Sequence, residues 1–486
     1  MTRTLKHFIY LFLFIALSAC SGNSLTVTSD NKEEPINETL SESIILLHVN
    51  DIHANMDNFP KIAAYIEELR NTNENVFLLS AGDLFSGNPF VDQHERPGYP
   101  LIHLMNELKF DASALGNHEF DHGQKVLNER MDDANFPFLC ANIDTQNAVL
   151  NQPQPYIILK TANDFPIVVL GLIETGTKID GRYIPSTHPD KVNDCNFLYY
   201  KSIAGEYTHL KKEDNLFLVL SHLGQGTDVK LADRYSEIDL IIGGHSHSTI
   251  KNPYIQNNAL ICQAGSKGKY IGRIDIKIEE GKIKSESAQL IETEKLSAVN
   301  SRIQSIVDQY NNNSAMKRII AQNKSILSNK NELGALMTDA VNWKLKTDIA
   351  FQNSGGIRSS LPQGEITVGQ VYELDPFNND IILFELSCDE IRSLLNSTSE
   401  GDLKVAGINY RYLGQGNIQL ENYDGTLLDE SQTYKVGLNS YIASAYNFDH
   451  NDIGQNSSVA SSNCLMEFLE FKKEINYNGI NRIFKN

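Results

Sequence analysis

Cysteine is scarce in this chain and poorly spaced for its usual roles. Six occur in 486 residues, at 20, 140, 195, 262, 388 and 464, with no Cys-x-x-Cys pair among them. Neither a thiolate zinc site nor a dense disulfide framework is expected from that pattern. Positive charge is also short: 42 Lys and Arg stand against 61 Asp and Glu, a net charge of −19. Such a chain has no broad basic face for a phosphate backbone, so a nucleic-acid polymer is not an expected partner. Only one apolar run matters to a membrane. It covers residues 8–16, behind Arg3 and Lys6. It is too short to span a bilayer and reads as a sorting signal, set apart from the fold. What remains is 41% hydrophobic and 21% charged. That composition builds packed cores, and the length implies two or three domains.

Residues 21–42 are polar and aperiodic, a tether ahead of the folded body. Order is expected to begin at Ile44, with a buried strand over 44–49. Phe59, Ile62, Ala63, Ile66 and Leu69 then follow helical spacing. Further strands are predicted at 76–79, 112–115, 167–172, 216–220 and 240–242, with helical faces around Leu101–Leu108 and Tyr200–Leu210. A hairpin over 270–291 turns at Glu280-Gly281. Strands alternating with helices indicate α/β layering. Residues 296–313 read as one solvated helix ending in three asparagines, and a domain boundary is placed there. A second, α+β unit follows, with helices at 333–345, 389–396 and 465–471 and strands at 349–352 and 381–386.

The strands of the first unit end in residues with metal-ligand chemistry. Asn-Asp-Ile-His stands at 50–53, Gly-Asp at 82–83, Gly-Asn-His-Glu-Phe-Asp at 116–121, Ser-His-Leu-Gly at 221–224 and Gly-Gly-His-Ser-His at 243–247. Ligand sites in open α/β sheets collect at the carboxyl ends of strands, so Asp51, His53, Asp83, Asn117, His222, His245 and His247 are expected on one rim. Carboxylate and imidazole donors without thiolate suit Zn, Mn, Co or Fe. Seven are too many for one tetrahedral ion and suit two, about 3.5–4 Å apart, clamping a displacement at phosphorus. His118, beside Asn117 and three residues before Asp121, has the makings of a charged donor, because the carboxylate favours imidazolium. His48 is read as structural. His94, His103, His122, His188, His209 and His450 fall outside the pattern and are assigned to surface or packing.

Together these motifs resemble the calcineurin-like metallophosphoesterases, and in particular the secreted 5′-nucleotidase and UDP-sugar hydrolase family. The resemblance implies a four-layer α/β/β/α sandwich over 43–295, a linking helix and hinge over 296–325, and a smaller α+β substrate domain over 326–486. It implies that Asp51, His53, Asp83 and His247 hold one divalent ion and that Asp83, Asn117, His222 and His245 hold a second, with Asp83 bridging. His118 would face the phosphoryl group, oriented by Asp121. The implied reaction is attack of a metal-bridged hydroxide on a nucleotide phosphate ester, giving nucleoside and phosphate.

In the second unit, Asn-Ser-Gly-Gly-Ile-Arg at 353–358 is similar to the family's nucleotide-contacting loop, and Pro-Phe-Asn-Asn at 376–379 to its base-stacking segment. Asn353, Gly356, Arg358, Phe377 and Asn379 are therefore expected at the substrate, with Phe448 as a second stacking ring. Two positions depart from the family. Asn329 stands where an Arg is usual, with Lys330 beside it. Residues 443–449 replace a glycine-rich loop.

The sequence Leu-Ser-Ala-Cys at 17–20 resembles a bacterial lipoprotein cleavage box. Lipidation at Cys20, export to the cell envelope and membrane attachment through the lipid alone follow from it. Loss of Arg3 and Lys6 with the leader takes the net charge from −19 to −21. Five cysteines would then remain, and the sequence selects no pairing among them, nor an oligomeric state. Two other readings stay open: the same centre acting on UDP-sugars, 2′,3′-cyclic nucleotides or non-nucleotide phosphate esters, and a lipoprotein that binds nucleotide without turnover.

Overall fold

The computed structural model describes residues 41–485 except 177 and 180. The apolar leader, Cys20 and nearly all of the tether lie outside the described residues.

The N-terminal part holds two six-stranded sheets. In the first, strands Ser41–Val49, Val76–Ser80, Ala112–Ala114 and Phe138–Leu139 run parallel, flanked by the antiparallel hairpin Tyr270–Glu279 and Lys282–Glu292. In the second, strands Pro166–Ile173, Leu216–His222, Leu240–Gly243 and Ala259–Cys262 run parallel between two antiparallel edges. The continuous apolar runs in the sequence arise because both faces of each sheet are covered. In Ser41–Val49, Ile44 and Leu46 enter the core between the sheets, while Ile45, Leu47 and Val49 pack under the helices. The same two-residue period divides Leu216, Leu218 and Leu220 from Phe217 and Val219.

Helices close the outside of both sheets. Phe59–Thr72, Tyr99–Glu107 and Gln124–Asp133 cover the first, and Tyr200–Tyr207 and Gln225–Arg234 the second. The order is helix, sheet, sheet, helix, as the resemblance implied. The hairpin turns at Glu280 (φ 54°) and Gly281 (φ 72°), the left-handed pair that a two-residue connection demands.

The predicted solvated helix differs from the one observed. It runs over Ser301–Tyr310, capped by Asn300 Oδ1, which accepts from the Ile303 amide at 3.1 Å. Ile303 and Val307 are buried in the core of the first sheet's helical layer, so this helix belongs to the N-terminal packing.

A second core begins with Ile320. Its five-stranded sheet has the order Leu403–Ala406, Ile349–Asn353, Thr433–Asn439, Asp380–Ser387, Gln455–Ala460. Helices Lys330–Leu345 and Ser461–Lys472 pack on one face; helix Cys388–Asn396 and hairpin Asn409–Gly414/Asn417–Glu421 cover the other. The central strand Thr433–Asn439 was not visible in the sequence, where Lys435 and Gly437 interrupt its apolar pattern. Asn329, at the departure noted above, caps helix Lys330–Leu345 by accepting from the Asn331 amide. The five described cysteines are free and buried, and among the described residues no helix is long and apolar enough to cross a membrane.

Candidate metal centre

Five loops leave the strand ends in tight turns that aim polar side chains at one point. Asp51, His53, Asp83, His245 and His247 all have left-handed backbones, with φ of 50°, 48°, 55°, 70° and 53°. Non-glycine residues hold that conformation at a cost, and such outliers collect at functional sites. The first two loops are tied side by side: the Asp51 amide donates to Gly82 O and the His53 amide to Asp83 O, both at 3.0 Å. Gly82 is needed at φ 83°, where a Cβ would lie 2.7 Å from the Gly116 nitrogen and 2.9 Å from His222 Nδ1.

The side chains form two groups, each able to hold an ion: Asp51, His53, Asp83 and His247, and Asp83, His222 and His245. Asp83 is common to both. Its Oδ1 lies 3.1 Å from His222 Nε2, and its Oδ2 lies 3.9 Å from His53 Nε2. Asn117 joins the second group, with Oδ1 3.0 Å from His245 Nδ1 while its amide donates to Ser186 O. All seven predicted donors are therefore brought together.

The donors fit divalent ions. His222 donates from Nδ1 to Ala81 O at 2.6 Å, and His53 from Nδ1 to Ser86 O at 3.1 Å. Each tautomer leaves Nε2 with a free lone pair pointing inward, the outer-shell arrangement that orients metal-bound imidazoles. His222 Nε2 is fully buried against Asp83 Oδ1, and His53 Nε2 faces His247 Nε2 at 3.0 Å. Burial, with the neighbouring Asp83 carboxylate, pushes the Asp51 carboxyl up to about 7 against the opposing pull of His222 and its hydrogen bonds, a penalty that a cation beside it removes. Nitrogen and oxygen donors without sulfur leave Zn, Mn, Co and Fe all possible.

Two acids the sequence reading passed over brace this centre. Glu119, fully buried, accepts from the amides of Asp83, Leu84 and Gly116 at 3.1, 2.6 and 2.5 Å. Asp92 accepts from the amides of Ser86, Gly87 and Asn88, steadying the carbonyl that orients His53. Glu119 lies inside the 116–121 motif, so a signal was present; Asp92 carried none.

His118 stands at the edge of the centre. Its Nδ1 pairs with Asp121 Oδ2 at 2.6 Å. Burial opposes its protonation, but the Asp121 and Asp83 carboxylates outweigh that and hold its pKa above the ordinary value. Beyond it opens a cavity of about 420 Å³, bounded by both cores. Of the substrate residues predicted, Asn353, Gly356, Arg358, Phe377 and Asn379 line it. The Phe377 ring stacks on His118 at 5.8 Å, and Arg358 Nη2 lies 3.5 Å from His118 Nε2.

Phe448 is a correction. Only 7% exposed, it packs in the C-terminal core against Phe384 and His450 and does not line the cavity. Tyr441 does, on helix Ser440–Ala445. His188, assigned to surface or packing, also lines the cavity and meets Ser440 Oγ at 3.1 Å across the two units. Lys191 lines it too.

The calcineurin-like phosphoesterase family model matches residues 44–249, and the 5′-nucleotidase C-terminal domain model matches residues 312–449. The chain joins these two domains in one molecule. Its phosphoesterase domain carries the metal centre, and its nucleotidase-type domain supplies Arg358, Phe377 and Tyr441. A 5′-nucleotidase of Vibrio cholerae is 28% identical over 90% of this chain and 91% of its own length. The crystal structure of a 5′-nucleotidase precursor from Thermus thermophilus superposes with a TM-score of 0.78 at 26% identity, covering 91% of this chain and 99% of that one. The trifunctional nucleotide phosphoesterase YfkN of Bacillus subtilis is 26% identical over 86% of this chain, which spans only 33% of that longer protein.

Proposed function

We propose that the protein hydrolyses nucleotide phosphate esters in the manner of a 5′-nucleotidase, releasing nucleoside and phosphate. One observation carries this reading: Asp83, Asn117, His245 and His247 of the metal donors, the His118–Asp121 pair, and Arg358, Phe377 and Tyr441 of the C-terminal domain line one cavity. The 5′-nucleotidases of V. cholerae and T. thermophilus support it.

Asp51, His53, Asp83 and His247 would hold one divalent ion, and Asp83, Asn117, His222 and His245 the other. Two ions bound there would supply Lewis acidity and make a water acidic enough to ionise near neutral pH. The chain's own groups do the rest. His118, kept protonated by Asp121, donates to the oxygen on which charge develops as the ester bond breaks. Arg358 offers a planar fork of donors to the phosphate or sugar. Phe377 presents its face to a base, Tyr441 bounds the same cavity, and Asn353 and Asn379 supply amides for polar edges. The segment between helix Ser301–Tyr310 and Ile320 is the hinge we assign between the units, since the helix itself is packed into the N-terminal core.

We further infer export as a bacterial lipoprotein, held at the cell envelope by lipid on Cys20. Cys20→Ser is then expected to move the protein from the membrane fraction to the soluble one.

The central test is turnover of purified protein with added Mn²⁺ or Zn²⁺ across nucleoside monophosphates, nucleotide sugars, cyclic nucleotides and p-nitrophenyl phosphate. A nucleotide monoester is expected to lead. If none outperforms p-nitrophenyl phosphate, the substrate assignment fails.

A further inference from the structure

A second cavity, of about 540 Å³, opens on the other side of the metal centre. His53 and His247 reach it from the centre, and Arg358 lines both cavities. Its further lining includes Lys267, Lys330, Asp57 and Glu373. Lys267 is half-buried in the loop after strand Ala259–Cys262. Its amide donates to Asp51 O at 2.8 Å, which ties its position to the centre. Its ammonium makes no hydrogen bond or ion pair among the described residues. Arg358 likewise pairs with no carboxylate there; its contacts are His118 and the Phe377 face. Lys330 Nζ donates to Ser354 O at 2.7 Å, one of its three protons, and stays exposed to the cavity. Asp57 and Glu373 line the same cavity, with Glu373 near enough to Lys267 to favour its charged form and Asp402 doing the same for Lys330, so the three cations exceed the two lining carboxylates by one, in a chain whose net charge is −19. A cavity with this surplus of cations, two of them half-buried and converging beside a metal-binding centre, forms a receptor for an anion.

We propose that this second cavity binds a phosphate-type anion, with Lys267 as its principal contact and Lys330 and Arg358 beside it. Two sources share that chemistry: a further phosphate carried on the substrate beyond the scissile phosphorus, and free inorganic phosphate. The proposal rests on the phosphoesterase reading of the neighbouring centre and adds residues that the nucleoside cavity does not use.

The experiment compares full-length, metal-loaded wild type with Lys267→Met, and with Lys330→Met in case the first variant folds poorly. It reads kcat/KM for ADP and for AMP, and the Kd of inorganic phosphate by calorimetry. Loss of one charged contact corresponds to about tenfold. A fall of that size in the ADP-to-AMP ratio places the anion on the substrate. A comparable rise in the Kd of inorganic phosphate, with the ratio constant, assigns the cavity to the free anion. If neither quantity moves in either variant, the proposal is overturned. Failure of wild type to turn over either nucleotide would instead sink the hydrolase reading, and the phosphate titration would still report on the cavity.

Discussion

The carboxylate of Asp83, at the end of a strand in the first sheet, lies 3.1 Å from Nε2 of His222, at the end of a strand in the second. One side chain thus joins the two halves of the sandwich and belongs to both metal-binding groups. Asp83→Ala is expected to empty both positions. Elemental analysis of the purified variant checks this, and full retention of metal would refute the shared assignment.

His118 is not among the donor groups, yet it faces them. His118→Asn should keep the metal content and lower kcat by roughly 10²–10⁴, the usual scale for a positioned proton donor. Asp121→Asn should lower kcat as well, because Asp121 both fixes the ring and favours its protonated form. Turnover at the wild-type rate in His118→Asn would remove the residue from the mechanism.

Tyr441 and Phe448 separate binding from packing. Tyr441→Ala should raise KM for nucleotide monoesters with little change in the urea midpoint. Phe448→Ala should cost about 3–5 kcal/mol of stability, the range for a truncated core aromatic, with KM near wild type. The reverse pattern would return Phe448 to the substrate.

His48 points into the core between the sheets, against Gly272 on the neighbouring strand. Burial pushes its pKa down from the ordinary 6.5 to about 3. Between those values the unfolded chain takes up a proton that the native state refuses, so stability falls as pH falls. The contribution to the slope is about 1.4 kcal/mol per pH unit. Urea unfolding between pH 6.5 and 4.5 should show His48→Gln shallower by that amount; an equal slope would show that His48 does not titrate on unfolding.

The same pair makes a steric prediction. A Cβ on Gly272 would overlap the His48 ring. Gly272→Ala should therefore destabilise by at least the ~1–3 kcal/mol typical of overpacking, and His48→Ala in the same chain should recover part of the loss. No recovery in denaturant unfolding would place the clash elsewhere.

Much of the metal centre was legible from the chain alone, because each donor follows a short apolar run and strand ends of parallel sheets share a rim. The turn of the hairpin at Glu280-Gly281 was legible for a similarly local reason. Helix Ser301–Tyr310 was recognised but misplaced as solvated, since its two buried residues, Ile303 and Val307, are too few to distinguish a packed face from an exposed one.

Sequence by itself determined which chemistry could be present: oxygen and nitrogen donors, a His paired with a carboxylate three residues on, and an apolar pattern with period two that commits strands to two covered faces. Tertiary structure decided which side chains share space. Tyr441 rather than Phe448 reaches the cavity beside His118 because strand Thr433–Asn439 delivers the following helix to that face, while Phe448 folds back onto Phe384. His188, Lys191 and Lys267 acquire their positions only where the two domains and the loops of the two sheets meet. Such proximity is set by packing between segments distant along the chain, and no local periodicity encodes it.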